Sequence, residues 1–192
     1  MRPLRRSRAH GQKRPVSTEA PAPAAQAASQ ESAPDAPPLA TKILLVTDAW
    51  EPQVNGVVRT LASTMRELKA MGCEIEVISP ADYKHTFPLI TYPEIRLAPG
   101  NRADVEDRFL AFAPDAVHIA TEGPLGWDAR AICLKHKHPF TTSYHTQFPE
   151  YVHARFWWIP LAAGYWYMHA FHDKSGRVMV ATPTMQDLLK LQ

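Results

Sequence analysis

From Lys42 onward, short continuous apolar runs alternate with stretches in which apolar residues recur every three or four positions. Lys42-Ile-Leu-Leu-Val-Thr47 is such a run, the pattern of a strand buried on both faces of a parallel sheet. Val57, Val58, Leu61, Met65 and Leu68 follow at helical spacing, and Gly72 acts as a C-terminal stop signal. Glu74-Ile-Glu-Val-Ile-Ser79 reads as the next strand and Glu94-Ile-Arg-Leu97 as a further short one. A helix of about ten residues is predicted from Arg102, with Val105, Phe109 and Phe112 on one side. Strand at 115–120, helix at 127–136, strand at 139–144, an aromatic helix over 156–171, strand at 177–181 and the start of a helix at 184–191 complete the pattern. Strands alternating with helices imply an α/β fold, a Rossmann-like doubly wound parallel sheet with ligands at the carboxyl ends of its strands.

Residues 1–40 break this pattern. They hold seven of the 18 prolines and almost no bulky apolar residue, so they bury too little surface to offset the entropy of ordering and read as a disordered tail. The domain is therefore assigned to residues 41–192. The tail also carries the charge imbalance, six basic against three acidic groups, whereas from Thr41 onward the count is 15 against 16. A near-neutral folded part argues against a nucleic-acid-binding face. Cys73 and Cys133 stand far apart with no CxxC or neighbouring His/Cys pattern, so they read as buried free thiols in a reducing cytosol and not as zinc ligands or a redox pair. No apolar run reaches membrane-spanning length. A cytoplasmic protein is expected.

The candidate chemistry lies in three loops on the carboxyl side of the sheet. The loop after the first strand, 47–56, ends in Gly56 immediately before a helix. A residue without Cβ at a helix N-terminus lets backbone amides approach an anion, although it can equally be a simple helix start. GxGxxG is absent, which argues against a dinucleotide reductase. The strand at 139–144 leads into Ser143-Tyr-His-Thr-Gln-Phe-Pro-Glu-Tyr151, placing Tyr144, His145 and Thr146 at the same rim. His145 either faces a ligand or is satisfied by local hydrogen bonds. Ala120-Thr-Glu-Gly-Pro-Leu-Gly-Trp127 supplies the third loop, where Glu122 either accepts hydrogen bonds from sugar hydroxyls or is a solvated carboxylate. His118 sits inside a strand and reads as core, while His136, His138, His169 and His172 suit surface positions. No His pair has metal-ligand spacing.

ILLVTDAWEPQVNGVVRTL, ATEGPLGW and SYHTQFPEY, in that order, together resemble the retaining glycosyltransferase family 4, most closely its α-mannosyltransferase and sulfoquinovosyl- or glucosyl-glycolipid synthase branch. The resemblance covers about residues 42–192. It implies a GT-B fold of which this chain is the N-terminal, acceptor-side half, with no cofactor and no protein-bound metal. It implies that Gly56 lies beside the donor diphosphate, Asn55 near the reacting sugars and His145 beside the transferred sugar, with Glu122, Tyr144 and Thr146 as further acceptor- or sugar-binding candidates. It also implies a nucleotide sugar as donor substrate and a lipid or saccharide hydroxyl as acceptor. The groups that neutralise the departing diphosphate belong, in that family, to a second domain beyond Gln192, so this chain alone is expected to be inactive. The alternative is a truncated, non-catalytic domain that binds a ligand or partner.

Residues 140–171 hold 11 of the 18 aromatics. Trp and Tyr at this density suit either a membrane interface or lipid slot, or ordinary packing against the sheet. On the first reading they and the basic tail would make peripheral contact with an anionic membrane; the tail reads alternatively as a solvated extension.

Overall fold

In the computed structural model, which describes residues 40–89, 92–145 and 148–190, the apolar runs become a single parallel sheet. Its strands are β1 (Lys42–Val46), β2 (Glu74–Ile78), β5 (Ala116–Ile119), β6 (Phe140–Tyr144) and β7 (Arg177–Val180), in the spatial order β2-β1-β5-β6-β7. β1, the most apolar strand, is an interior one: it pairs Val46 with Ile78 on one side and with Ile119 on the other. The tail assigned to residues 1–40 lies, apart from Ala40, outside the described residues.

Alternate residues of β1 serve opposite faces. Leu44 and Val46 join Val105, Phe109 and Phe112 of α2 (Arg102–Phe112), Leu125 and Ile132 of α3 (Pro124–Lys135) and Phe171 of α5 (Leu161–His172) in the larger core. Leu45 joins Leu61, Val57 and Met65 of α1 (Gly56–Ala70) on the other face. The sheet is thus doubly wound, as the alternation of the sequence predicts. From β1 the chain crosses to β2 on one side, whereas β5 leads through α3 to β6 and on to β7 on the other. The order reverses between β1 and β5, and the carboxyl ends of those two strands open the crevice where such sheets bind ligands.

Two expectations need correction. The strand at 94–97 exists as β4 (Tyr92–Leu97) but pairs antiparallel with β3 (Phe87–Leu89) in a separate hairpin. β3 is only three residues long and contains Pro88, too little for a sequence pattern to show. The aromatic helix expected over 156–171 begins only at Leu161. α4 (Phe148–Arg155) and α5 are separated by a turn at 156–160, because Pro160 has no N–H to donate and disfavours helical geometry in Ile159 before it. Pro183 similarly opens α6 (Pro183–Lys190).

Candidate functional site

At the switch point, β1 leads into Thr47 and Asp48, both buried. Asp48 is saturated with partners. Its amide donates to Thr121 Oγ1 at 2.6 Å, the Thr121 hydroxyl donates back to Asp48 Oδ2 at 3.0 Å, and the amides of Leu125 and Gly126 in the first turn of α3 donate to Oδ1 and Oδ2 at 3.1 and 3.3 Å. A carboxylate here completes donors that a helix N-terminus leaves open. Burial nevertheless pushes the carboxyl up to about 6, against the lowering by the Leu125 amide, the Thr121 hydroxyl and the Gly126 amide. Two glycines make the approach possible. A Cβ on Gly123 would lie 2.3 Å from Asp48 Cγ, and one on Gly126 would lie 2.0 Å from the Thr121 carbonyl oxygen.

The loop from Asp48 to the head of α1 contains a cis Glu51–Pro52 peptide and a turn closed by Gln53 N donating to Trp50 O at 3.1 Å. Asn55 caps α1: its Oδ1 accepts from Val58 N at 3.0 Å and its Nδ2 donates to Gln53 Oε1 at 3.3 Å. Gly56, the first helical residue, is exposed, and no atom lies within 4 Å of where its Cβ would be. The position has room for a ligand to meet the backbone closely.

Two strands away, roughly 10 Å across the sheet, β6 carries the second group of candidates to the same edge. Tyr144 is buried against the α5 face, where its ring meets His172 edge-on at 6.0 Å. Burial raises the phenol to about 12, and the carboxylates of Glu150 and Glu122, with Tyr165, act in the same direction. His145 follows at the strand end. Its Nε2 is buried with no hydrogen-bond partner, and burial lowers its pKa against the opposing pull of Glu122. Behind it, His118 of β5 is held by Thr141 Oγ1 at 2.8 Å and Ser143 Oγ at 2.9 Å, and burial, then His145, brings it down to about 4. Glu122 is anchored through its backbone, its carbonyl accepting from Tyr167, whose hydroxyl also accepts from Trp127 Nε1 at 2.7 Å.

His172 is not the surface residue that its place near the end of a helix predicts. The last turn of α5 lies on β6, so His172 Nδ1 meets Thr142 Oγ1 at 2.8 Å and its Nε2 comes within 3.4 Å of Glu122 Oε1, with the side chain only 11% accessible. Glu150, on α4, accepts from the Tyr165 hydroxyl through Oε1, while its Oε2 is buried without a partner, as is His172 Nε2.

Glu122, Tyr144 and His145 are therefore brought together. Gly56 and Asn55 stand at the same edge on β1's side, with the Asn55 carboxamide engaged in capping, and Thr146 lies outside the described residues. Sequence reasoning missed Asp48, Glu150 and His172. Of these only Asp48 left a signal, an acidic residue directly after a buried strand at the switch point. Among the described residues no group of three or more His, Cys, Asp or Glu side chains is arranged to hold a metal, and Cys73 and Cys133 are free thiols, the second buried and pushed up to about 12 by that burial.

The sequence also resembles known proteins. The chain is 26% identical over 167 residues to a GDP-mannose-dependent alpha-mannosyltransferase of Mycobacterium tuberculosis, covering 77% of this chain and 44% of that protein. It is 28% identical to alpha-monoglucosyldiacylglycerol synthases of Acholeplasma laidlawii and Streptococcus pneumoniae, in each case over 58% of this chain and 31% or 28% of the relative. The chain thus spans less than half the length of these relatives. The family model for Glycosyltransferase Family 4 matches residues 54–191, from the Gly56 loop through the β6 edge to α6, and the chain belongs to that family.

Proposed function

We propose that this chain supplies the acceptor-side wall of a glycosyl-transfer cleft, in which a hexosyl group passes from a nucleotide sugar to a lipid or saccharide hydroxyl with retention at the anomeric carbon. The bond from that carbon to the diphosphate breaks, a bond to the acceptor oxygen forms, and the hydroxyl proton leaves with the diphosphate. No cofactor and no protein-bound metal is needed. The observation that carries the reading is His145 Nε2, a buried polar atom without a partner at the carboxyl edge of β6 in a member of this family. With its pKa lowered by burial, His145 meets the transferred sugar as a neutral imidazole, able to hydrogen-bond a sugar hydroxyl without adding charge. The open space at Gly56 and the N-terminus of α1 suit the donor diphosphate.

The names of the relatives support a lipid acceptor over a free sugar, since two of the three act in glycolipid synthesis. Trp157, Trp158 and Trp166 are 79%, 63% and 72% exposed, which favours weak peripheral contact with an anionic membrane at its cytoplasmic face. Among the described residues no helix is long and apolar enough to cross a membrane.

The test is made in the host cell. Deleting the gene should remove one hexosylated lipid or glycan from extracts analysed by mass spectrometry, and the wild-type gene should restore it while a His145→Ala copy should not. Unchanged lipids and glycans after deletion would overturn the reading in favour of a non-catalytic domain.

A further inference from the structure

His118 is a polar residue at a strand position that an aliphatic side chain would fill. It pairs with Leu45 of β1 in the parallel register and stands between Val117 and Ile119, both almost fully buried. Burying an imidazole is costly unless its nitrogens find partners. Here both do: Nδ1 meets Thr141 Oγ1 at 2.8 Å and Nε2 meets Ser143 Oγ at 2.9 Å. Burial, then His145, holds the ring well below the usual histidine range, at about 4, so it is neutral, with one N–H and one lone pair. Thr141 Oγ1 donates to the Val117 carbonyl at 3.4 Å. Its oxygen therefore accepts from Nδ1, and Ser143 donates its hydroxyl hydrogen to Nε2.

The bond to Ser143 lies where the backbone no longer joins the two strands. The register between β5 and β6 runs from Val117 with Phe140 to Ile119 with Thr142. Beyond it, Ser143 and Tyr144 pair only with Met179 and Val180 of β7, an edge strand with three of its four residues exposed. Such an edge opens more readily than a buried strand. On the β5 side, the tie past the end of the ladder is the Ser143–His118 bond. Side chains alternate along a strand, so His145 follows Ser143 on the face where His118 lies. The His145 charge acts on His118, which places the two rings within electrostatic reach of each other.

We propose that His118 is a positioning residue of the transfer site: its ring ties Ser143 to β5 and so fixes the direction in which the next residues of β6, Tyr144 and His145, meet the substrate. It acts through Ser143 and touches no substrate itself. An apolar residue of similar volume in its place keeps the core filled but leaves the Ser143 hydroxyl without its acceptor and frees the strand end to turn. This deepens the transfer reading above and rests on it only for what His145 meets; the tie between β5 and β6 does not.

Imidazole 15N NMR on the full chain reads the tie directly. His118 should show a protonated Nδ1 and a bare Nε2, and His145 a single set of ring resonances. In His118→Leu the His145 resonances should move or split. His118→Gln, whose carboxamide can still accept from Ser143, should return them toward their wild-type positions. Ser143→Ala cuts the same bond from the other end; it should reproduce the His118→Leu pattern, and it decides alone if His118→Leu fails to fold by its thermal melt. In a host lacking the gene, the His118→Leu copy should yield at least about tenfold less hexosylated product than wild type at equal protein level, because a small misplacement of a reacting group costs rate steeply. The His118→Gln copy should recover most of that loss. A merely structural His118 would lower the melting temperature and leave the His145 resonances in place. Unchanged His145 resonances in a folded His118→Leu or Ser143→Ala protein, a protonated Nε2 on His118, wild-type product from the leucine copy, or a glutamine copy as poor as the leucine one overturns the positioning role. If the wild-type gene itself yields no product, the transfer reading alone fails, since the resonances report the tie without it.

Discussion

Two polar groups stand at the carboxyl edge of one sheet and are treated in opposite ways. At the β1 end, Asp48 is surrounded by donors from Thr121, Leu125 and Gly126, and the two glycines beside it leave no space unfilled. At the β6 end, His145, Glu150 and His172 each retain a buried atom with nothing bound to it. Both regions hold buried carboxylates, so burial alone does not mark a site. What differs is whether the fold itself supplies the partners. Where it does, the group ties β1 to α3 and acts as scaffold; where it does not, an unpaired polar atom remains, and it is there that we propose a ligand.

The largest effect should come from crowding the closed region. Gly126→Ala would drive a Cβ to 2.0 Å from the Thr121 carbonyl oxygen, a backbone atom that cannot rotate away. We expect a loss of roughly 3 kcal/mol or more, at the upper end for overpacking, and a thermal midpoint lower by about 6 to 12 °C. Gly56→Ala, in open space at the first position of α1, should change stability by less than about 1 kcal/mol. Equal melting temperatures for the two variants would remove the distinction between a closed and an open rim.

Asp48 gives a pH test of the closed region. Its folded pKa of about 6 lies above the ordinary value of 3.8, so the folded state binds the extra proton. Its contribution to stability is fully present below pH 3.8 and is lost as pH rises through about 6. A shift of about two units corresponds to about 3 kcal/mol. Asp48→Asn cannot titrate, so the wild-type stability relative to the variant should fall by about that amount between pH 4 and pH 7 in urea melts. A difference that rises with pH instead would mean that the α3 amides outweigh burial.

In the open region the expected loss is of function and not of stability. If His145 contacts the sugar more strongly as the glycosidic bond breaks, His145→Ala, made in a protein that also carries the second wall of the cleft, should lower kcat by about 10- to 1000-fold, roughly 1.4 to 4 kcal/mol, with an unchanged melting temperature. Gly56→Val should also raise KM for the donor, because a branched Cβ obstructs phosphate approach to the backbone. A destabilised His145→Ala protein with normal kcat in its folded fraction would make His145 a scaffold group like Asp48.

The comparison also explains what could be read in advance. Strand and helix positions were legible where burial has a period: Leu44, Leu45 and Val46 on β1, or Val105, Phe109 and Phe112 on α2, announce themselves by spacing. Gly72, at φ +91°, stops α1 where the pattern places it. Glu122 and His145 were legible because they follow strands whose carboxyl ends must converge. His172 and Glu150 were not. Their burial depends on how α4 and α5 settle on β6 after the break at Pro160, a tertiary event with no trace in local periodicity. Asp48 looked like a loop residue because its partners lie 73 to 78 positions away.

The smallest expected effect tests whether the exposed aromatics extend the open rim toward lipid. Trp157 and Trp158 fall in the turn between α4 and α5, and Trp166 lies on the outer side of α5, beyond the same edge that carries Tyr165 and Tyr167 inward. Exposed indoles partition into the headgroup region, and basic groups add attraction to anionic lipid that salt screens within about a Debye length. Flotation with anionic liposomes should therefore show weak binding that decreases as salt is raised. Deleting residues 1–40 should remove the salt-sensitive part only, and Trp157→Ala with Trp158→Ala should remove the part that salt leaves. Absence of flotation with and without residues 1–40 would end the lipid-facing assignment and leave the indoles as plain surface; binding that survives the two tryptophan changes but not high salt would assign membrane contact to the basic segment alone.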